Sequence, residues 1–244
     1  MDVAIAPAAT GEFKDILHRD LELVHNRYIR SPLLGLIHHG RLPEEAIKDF
    51  AIQRWPFQAH ASLAMMLSHA CFLEAKDIRS LLANAYDEIL RPPGQGDHPS
   101  LWVRFAKCRG ATDEELAEAA RNPLPEVMGF GETLRWFCLR SAEEGLAAWY
   151  ADEEQLPEAL GSLALSLRKH YGCDDYAIEY FLEHVRADIG HSDSSADLLL
   201  RYCDTPEKQL RARKAANVTL WAWLEMHAGI LRFLRQRYDI PECT

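Results

Sequence analysis

The sequence predicts an all-α protein, a single-domain bundle of about seven or more helices. Apolar residues recur at spacings of three and four over long stretches, as in the segment that follows Pro43. Turn chemistry interrupts these stretches, and the sequence contains neither a convincing alternating strand pattern nor an Asn-Gly hairpin signal. No repeat or change of composition marks a boundary, so we expect residues 1–244 to form one domain, with 1–11 as a flexible N-terminus.

The helices are delimited by residues that start or stop helical turns. Pro43 suits the first turn of a helix, and Asp174 or Asp175 suits an N-cap. Breaks are predicted at 91–97, which is rich in proline and glycine, at Asn122-Pro123 and at His191-Ser192-Asp193. The predicted helices are, in order, 12–29, 43–74, 76–90, 99–109, 113–121, 125–152, 156–171, 174–191 and 205–237.

Composition and charge exclude several classes of protein. The 244 residues are 48% hydrophobic and 26% charged, which excludes disordered and fibrous chains. No apolar run approaches the roughly 20 residues of a membrane span. The 27 Lys and Arg residues against 37 Asp and Glu residues give a net charge of −10, which argues against a general nucleic-acid binder. The N-terminus has no basic stretch before its apolar patch, so we expect no signal peptide and a cytoplasmic location.

The six cysteines do not form a metal or redox motif. None belongs to a C-x-x-C pair, and they are spread widely along the chain. In a cytoplasmic protein of this size we expect reduced thiols that act as small buried hydrophobes.

One predicted helix, 174–191, brings three metal-type side chains to one side. His184, Asp188 and His191 are spaced i, i+4 and i+7, so they line up on an α-helix. At about 100° per residue, Asp188 and His184 fall within or beside the apolar arc that contains Phe181. Inward imidazoles and carboxylates need partners, because burying such groups unpaired costs free energy.

A second inward carboxylate is predicted near the end of the helix 125–152. Glu153 shares a helical face with Leu146 and Trp149, so its side chain should point into the core. Its neighbours Asp152 and Glu154 fall to the sides and are expected at the surface.

A third helix adds another carboxylate and leads to a third imidazole. Glu88 follows Leu81 and Ala85 along the inner face of its helix. After the break at 91–97, His98 opens the next helix.

These three carboxylates and three imidazoles suit a site for two metal ions. Nitrogen and oxygen ligands without thiolates favour iron first and manganese second. Asp188 and His191 form an acid-x-x-His motif of the kind used in di-metal helical bundles, although a second copy is missing. The alternative is an interaction module without catalytic activity, in which the same side chains form only a hydrogen-bond network.

Four segments together resemble the heme-oxygenase-like superfamily branch that includes pyrroloquinoline-quinone synthase, thiaminase II and the heme-oxygenase-like diiron oxidases. The resemblance covers about Leu33 to Tyr202 and implies a heme-oxygenase-like fold. The segments are GRLP and FAIQRW within 40–55, Asn84 and Asp87-Glu88 followed by HPSLW and Phe105, YADEEQLP at 150–157, and His184, Asp188 and His191-Ser192.

The last three segments resemble the metal-ligand pattern of the diiron oxidases. The resemblance implies two Fe(II) ions, with O2 as co-substrate, and assigns catalytic roles to the three carboxylates among the ligands. It also implies a small-molecule substrate, such as an amino acid or fatty acid that undergoes N-oxygenation or C–C cleavage, and leaves an external electron donor and a homodimer open. The ligand positions that it implies are Glu88, His98, Glu153, His184, Asp188 and His191.

Two departures from the family pattern bear on these expectations. Members that make 4-aminobenzoate resemble self-sacrificing synthases that need a lysine near the site, and the segment 157–167 contains none. That absence argues against this activity. The loop between Glu88 and His98 is longer than the family pattern, which makes His98 the weakest ligand assignment.

Other readings remain open. A quinone-synthase-like or thiaminase-like enzyme would act without a cofactor and would not need all six ligands. Heme binding would fall to His25 on the first long helix. Five aromatic residues are expected near the site and could contact the substrate, although core packing is the commoner reason for aromatic residues at helical spacing: Trp55, Phe57, Trp102, Trp136 and Trp149. Four arginines are candidates to bind a substrate carboxylate, although each is expected at the surface: Arg54, Arg104, Arg135 and Arg186.

Overall fold

In a computed structural model of the protein, helices form the regular secondary structure of the described part of the chain. Residues 8–60, 69–86, 91–154 and 156–240 are described, except for the side chains of residues 10, 60, 80, 84 and 186–195. The helices are α1 (Thr10–Ile29), α2 (Pro32–His38), α3 (Glu44–His60), α4 (Ala75–Ala85), α5 (His98–Cys108), α6 (Asp113–Arg121), α7 (Pro125–Cys138), α8 (Ala142–Glu154), α9 (Leu156–Tyr171), α10 (Glu179–Tyr202) and α11 (Pro206–Arg237). Because these ranges contain no strand, the all-α prediction is confirmed.

Several helices begin where the sequence supplies a capping side chain. Thr112 and Glu115 form a reciprocal capping box at the start of α6. The side chain of Thr205 accepts a hydrogen bond from the backbone N–H of Lys208 at the start of α11. These caps satisfy backbone donors that the first helical turn leaves unpaired.

The core is organised around α8, which is buried on every side. Its residues from Ala142 to Glu153 are all buried, charged ones included. The helix packs against α7, α10 and α11, and the small residues along it let these neighbours approach closely. A helix enclosed in this way places any polar side chain that it carries inside the molecule.

The structure corrects several predicted boundaries. The predicted helix 125–152 is two helices, because Ser141 caps a new start by accepting a hydrogen bond from the N–H of Glu144. The break predicted at His191-Ser192-Asp193 is wrong, since α10 continues to Tyr202. The short helix α2 was not predicted, and residues 70–72 of the predicted helix 43–74 form a 3₁₀ turn.

The first helix begins close to the N-terminal end of the described residues. The helix α1 begins at Thr10, so it overlaps the segment 1–11 that we expected to be flexible, whereas residues 1–7 lie outside the description. Among the described helices, none combines the length and the apolar character that crossing a bilayer would require.

Candidate metal centre

Two buried histidines from different helices meet in the interior. His98 is the first residue of α5 and is 1% exposed, and His184 lies on α10 and is 3% exposed. Their ring centroids are 4.0 Å apart, with 34° between the ring planes. The prediction that His184 points inward is therefore correct, as is the prediction that His98 opens a helix, and the structure brings the two rings together.

Local backbone chemistry fixes the position of His98. The Asp97 carboxylate accepts hydrogen bonds from the N–H of Ser100 at 3.0 Å and of Gly94 at 2.7 Å. Gly94 reaches Asp97 from the left-handed region, with φ of 80°, which favours glycine. Asp97 thus caps α5 and ties the preceding loop to the helix start that presents His98.

The orientation of His184 is set by its own helix. Its Nδ1 lies 2.8 Å from the carbonyl oxygen of Tyr180, one turn earlier. A carbonyl can only accept, so Nδ1 carries the proton and Nε2 carries the lone pair in the neutral imidazole. A backbone acceptor on the second ring nitrogen is a common way to orient a metal-binding histidine.

The end of α8 carries two buried acids where the sequence predicted one. Glu153 is buried as predicted. Asp152 is 4% exposed, so the expectation that it lies at the surface was wrong. The helical-wheel argument failed because α8 is enclosed all round and has no solvent-facing side at this point. Since α8 packs against α10, both acids lie on a helix adjacent to the one that bears His184.

Three of the six predicted ligands lie outside the described residues, either entirely or in their side chains. Glu88 lies outside the described residues, and so do the side chains of Asp188 and His191, although their backbone belongs to α10. Among the side chains that are described, no group of three or more His, Cys, Asp and Glu residues is arranged to hold a metal ion. Their assignment as ligands, like that of the other three, stays a prediction.

Among the predicted substrate-binding residues, Arg54 differs most from expectation. Arg54 was expected at the surface but is 3% exposed, with its guanidinium carbon 4.6 Å from the Trp102 ring centroid. Trp102 itself is fully buried and donates from Nε1 to the carbonyl of Ala51 at 2.9 Å. In contrast, Trp136 is 61% exposed, so it does not belong to the buried aromatic residues of the interior.

The remaining candidates are spread over the molecule. Phe57 and Trp149 are buried, and Trp55 packs partly buried against the core. Arg104 forms an ion pair with Glu179, and Arg135 forms an exposed one with Glu132. The side chain of Arg186 is outside the described set. His25, the candidate heme ligand, has Nε2 3.3 Å from Oε2 of Glu158.

Tyr180 contacts both the imidazole pair and Arg54, and the sequence analysis did not identify it as a site residue. Its ring centroid lies 4.3 Å from that of His184 and 4.8 Å from that of Trp102. Its hydroxyl oxygen accepts hydrogen bonds from Gln58 Nε2 at 2.7 Å and from Arg54 Nη1 at 3.3 Å. The available signal was its position one turn before His184, on the same face of the helix.

The chemistry of the described donors fits iron. Imidazole nitrogen and carboxylate oxygen are ligands that Fe(II) accepts, and a buried imidazole whose Nδ1 is already bonded offers Nε2. His98, His184 and Glu153 supply such groups from three helices.

The chain is similar to known proteins both in family and in fold. A family model described as "Iron-containing redox enzyme" matches residues 48–224. A solved structure from Shewanella denitrificans, described as a domain of unknown function with a heme oxygenase-like fold, superposes with a TM-score of 0.79. It is 12% identical, and the superposition covers 92% of this chain and 94% of the other. The predicted heme-oxygenase-like fold is thereby confirmed.

Two similar sequences carry the name 4-aminobenzoate synthase. The protein from Nitrosomonas europaea is 36% identical over 152 residues, which cover 60% of each chain. The one from Chlamydia trachomatis is 30% identical over 199 residues, covering 76% of this chain and 80% of the other. The matched regions thus cover 60–80% of the length of these relatives.

Proposed function

We propose that this chain, which belongs to the iron-containing redox enzyme family, is a non-heme diiron oxidase that uses O2 to oxidise a small amine- or carboxylate-bearing molecule. The observation that carries the proposal is the buried pair of imidazoles, His98 and His184, contributed by two helices. N-oxygenation and oxidative C–C cleavage of an amino acid or fatty acid are the reaction types that the resemblance to diiron oxidases favours. We also propose that an external electron donor supplies electrons for the reduction of O2.

Two of the described ligand candidates, His98 and His184, are positioned by contacts that suit the role. The iron would be held by His98, His184 and Glu153, together with Glu88, Asp188 and His191. When bound, it would supply the activation of O2 that amino-acid side chains cannot.

The protein's own contribution is positioning and the exclusion of water. The carbonyl of Tyr180 holds the His184 ring in one tautomer, and the Asp97 cap holds the start of α5. The rings of Tyr180 and Trp102 enclose this region and keep bulk water away from it.

The proposal is tested by counting iron. The metal-free chain, loaded anaerobically with Fe(II) and desalted, should retain about two irons per chain. His184→Gln should lose at least one of them. His227→Gln is a matched control, because His227 is also buried and its Nδ1 also bonds to the carbonyl four residues earlier. The control should bind iron as the unmodified chain does.

Reaction with O2 completes the test. Iron-loaded protein should consume O2 faster when its substrate is added, in a screen over amino acids and fatty acids. Iron retention near zero, or retention unaffected by His184→Gln, would overturn the proposal. Turnover that persists in excess chelator would instead favour the cofactor-independent reading.

A second candidate function is 4-aminobenzoate synthesis, which the names of the two relatives favour. It ranks second because the 4-aminobenzoate-forming members resemble synthases that need a lysine near the site. Residues 157–167, which follow Glu153 closely in the chain, contain none. The same iron-loaded samples, supplied with O2 and reductant but no substrate, decide between the two. Mass spectrometry should find no 4-aminobenzoate, and its appearance at a yield of up to one per chain would support the second candidate.

A further inference from the structure

Arg54 is a buried cation surrounded by aromatic rings. Its guanidinium carbon lies 4.6 Å from the ring centroid of Trp102, 5.2 Å from that of Trp223, 5.8 Å from Tyr180 and 5.9 Å from Phe57. These rings come from four different helices, so the arginine sits where α3, α5, α10 and α11 approach one another. Ring faces attract a cation, and they compensate part of the cost of burying its charge.

The guanidinium nevertheless lacks an anionic partner in the described structure. Its one hydrogen bond there runs from Nη1 to the hydroxyl of Tyr180 at 3.3 Å, and it forms no ion pair with a described acid. Arginines nearer the surface are better matched: Arg211 pairs with Glu143 at 2.7 Å and Arg232 with Glu126 at 2.6 Å. Ring faces cannot accept the in-plane N–H groups, so a buried guanidinium of this kind calls for an acceptor.

The free edge of the guanidinium has the geometry that a carboxylate needs. Because Nη1 is engaged with Tyr180, the Nε and Nη2 groups remain as a pair of parallel donors. Parallel donors match the two oxygens of a carboxylate and bind it in a bidentate manner.

The position of Arg54 relates it to the candidate metal centre. The ring of Tyr180, whose hydroxyl contacts Arg54, lies 4.3 Å from the His184 ring and 5.9 Å from the His98 ring. One tyrosine ring therefore separates the guanidinium from the two imidazoles. Asp152 is a buried acid whose charge acts on the same group as that of Arg54, since Asp152 raises the pKa of the buried Tyr28 and Arg54 lowers it. The two residues do not form an ion pair in the described structure.

We propose that Arg54 binds the carboxylate of the substrate, which makes the substrate a small carboxylic acid whose body extends along Tyr180 toward His98 and His184. The proposal rests on the proposed function and deepens it, since it selects carboxylates from the wider class of amines and carboxylates. Gln58 supports the arrangement by donating to the same Tyr180 hydroxyl at 2.7 Å.

The test uses metal-free full-length protein and two matched pairs of probes. 4-Fluorobenzoate is compared with 4-fluorobenzamide, and hexanoate with hexanamide, so that each pair differs in charge but hardly in shape. Quenching of tryptophan fluorescence reports binding, because Trp102 and Trp223 both flank Arg54. At least one acid should bind about tenfold or more tightly than its amide, which is the effect of a charge-assisted hydrogen bond.

Variants then assign the preference to Arg54. Arg54→Gln should abolish it, and Arg54→Lys should retain part of it, because lysine keeps the charge but not the parallel donors. Arg140→Lys is a matched control, since Arg140 stacks on Trp136 at 5.2 Å but is exposed to solvent, and it should behave as the unmodified chain does.

Three results would overturn the proposal. They are equal affinity for acid and amide in both pairs, a preference that survives in folded Arg54→Gln, and no binding of either acid at about 10 mM. If Arg54→Gln does not fold, the comparison of acid with amide in the unmodified chain still decides. The carboxylate-binding test contains no iron, so its result does not depend on whether the protein binds iron. In the same way, the count of bound iron does not depend on whether Arg54 binds a carboxylate, and the two proposals can fail separately.

Discussion

At the scale of single residues, two buried histidines show how similar sequence patterns differ in chemistry. His184 and His227 are both buried on long helices, and each bonds through Nδ1 to the carbonyl four residues earlier. His227 faces the rings of Tyr28 and Trp223, with centroids at 5.0 Å in both cases, whereas His184 faces a second imidazole. The partner, and not the periodicity, separates a candidate ligand from a core histidine.

The enclosure of His227 has a measurable effect on acid stability. Burial, helped by the positive charge of Arg54, lowers the pKa of His227 to about 3. The unfolded chain binds a proton at this position near pH 6.5, whereas the folded chain does not. Stability therefore falls as the pH drops below about 6.5, by up to about 1.4 kcal/mol per pH unit from this group.

His227→Gln should remove this contribution. Urea unfolding of the variant between about pH 6.5 and pH 4.5 should show a shallower loss of stability, with a difference of roughly 2–3 kcal/mol accumulated over that range. The variant can be less stable than the unmodified chain at every pH, because only the slope carries the prediction. Parallel curves for the two proteins would show that His227 is not buried as a neutral imidazole.

For single residues, the sequence predicted the burial of some polar side chains and missed the burial of others. It placed Glu153 and His184 in the interior because apolar neighbours share their helical faces. It misplaced Arg54 and Asp152, since a charged residue in an amphipathic pattern is normally solvated. Their burial depends on aromatic rings and helices distant in sequence, which no local pattern reports.

At the scale of elements, the packing of α8 depends on the absence of one side chain. A Cβ built on Gly145 would lie 2.6 Å from the imidazole ring of the buried His69, whose Nε2 bonds to the carbonyl of Ala142. The ring thus occupies the space beside the first turn of α8. Alanine is the better helix former, but here its methyl group would overlap an aromatic ring that cannot easily move.

Gly145→Ala should therefore destabilise the protein by about 1–3 kcal/mol in chemical unfolding. Gly129→Ala in α7 is the matched control, because a Cβ there meets no atom within 4 Å. The control should be neutral or more stable by up to about 1 kcal/mol. If both substitutions stabilise the protein, the His69 ring does not occupy the space beside Gly145, and the prediction is contradicted.

Element boundaries were predictable where local chemistry sets them. Helix α6 matches its prediction at both ends, because the Thr112–Glu115 capping box begins it. The join between α7 and α8 was missed, since Leu139 and Arg140 continue the helical pattern and only Ser141 marks the break. The two turns of α2 are too short for periodicity to detect, and packing against α9 accounts for their stability.

At the scale of the whole molecule, the proposed metal centre would join helices that are distant in sequence. The predicted ligands include His98 on α5, Glu153 on α8 and three residues of α10, whereas α11 carries none. Binding of a ligand to the folded state suppresses the local opening of the elements that it connects.

Anaerobic addition of Fe(II) should therefore slow amide hydrogen exchange in α10 by about tenfold or more relative to its effect in α11. Mass spectrometry of peptides from the two helices provides the comparison. The metal-free protein in buffer with chelator provides the baseline. Equal protection of α10 and α11 would contradict the predicted ligand set. The His184→Gln variant should show a smaller effect than the unmodified chain.

The length and place of α11 have a consequence for how the protein is made. At 32 residues the helix is about 48 Å long, and it covers faces of α7, α8, α1 and α3, all of which precede it in the chain. During translation at roughly 5–20 residues per second, those apolar faces emerge from the ribosome several seconds before the helix that buries them. The nascent chain is thus exposed to aggregation until α11 has been synthesised, and a chaperone that binds apolar helices would have most effect during that interval.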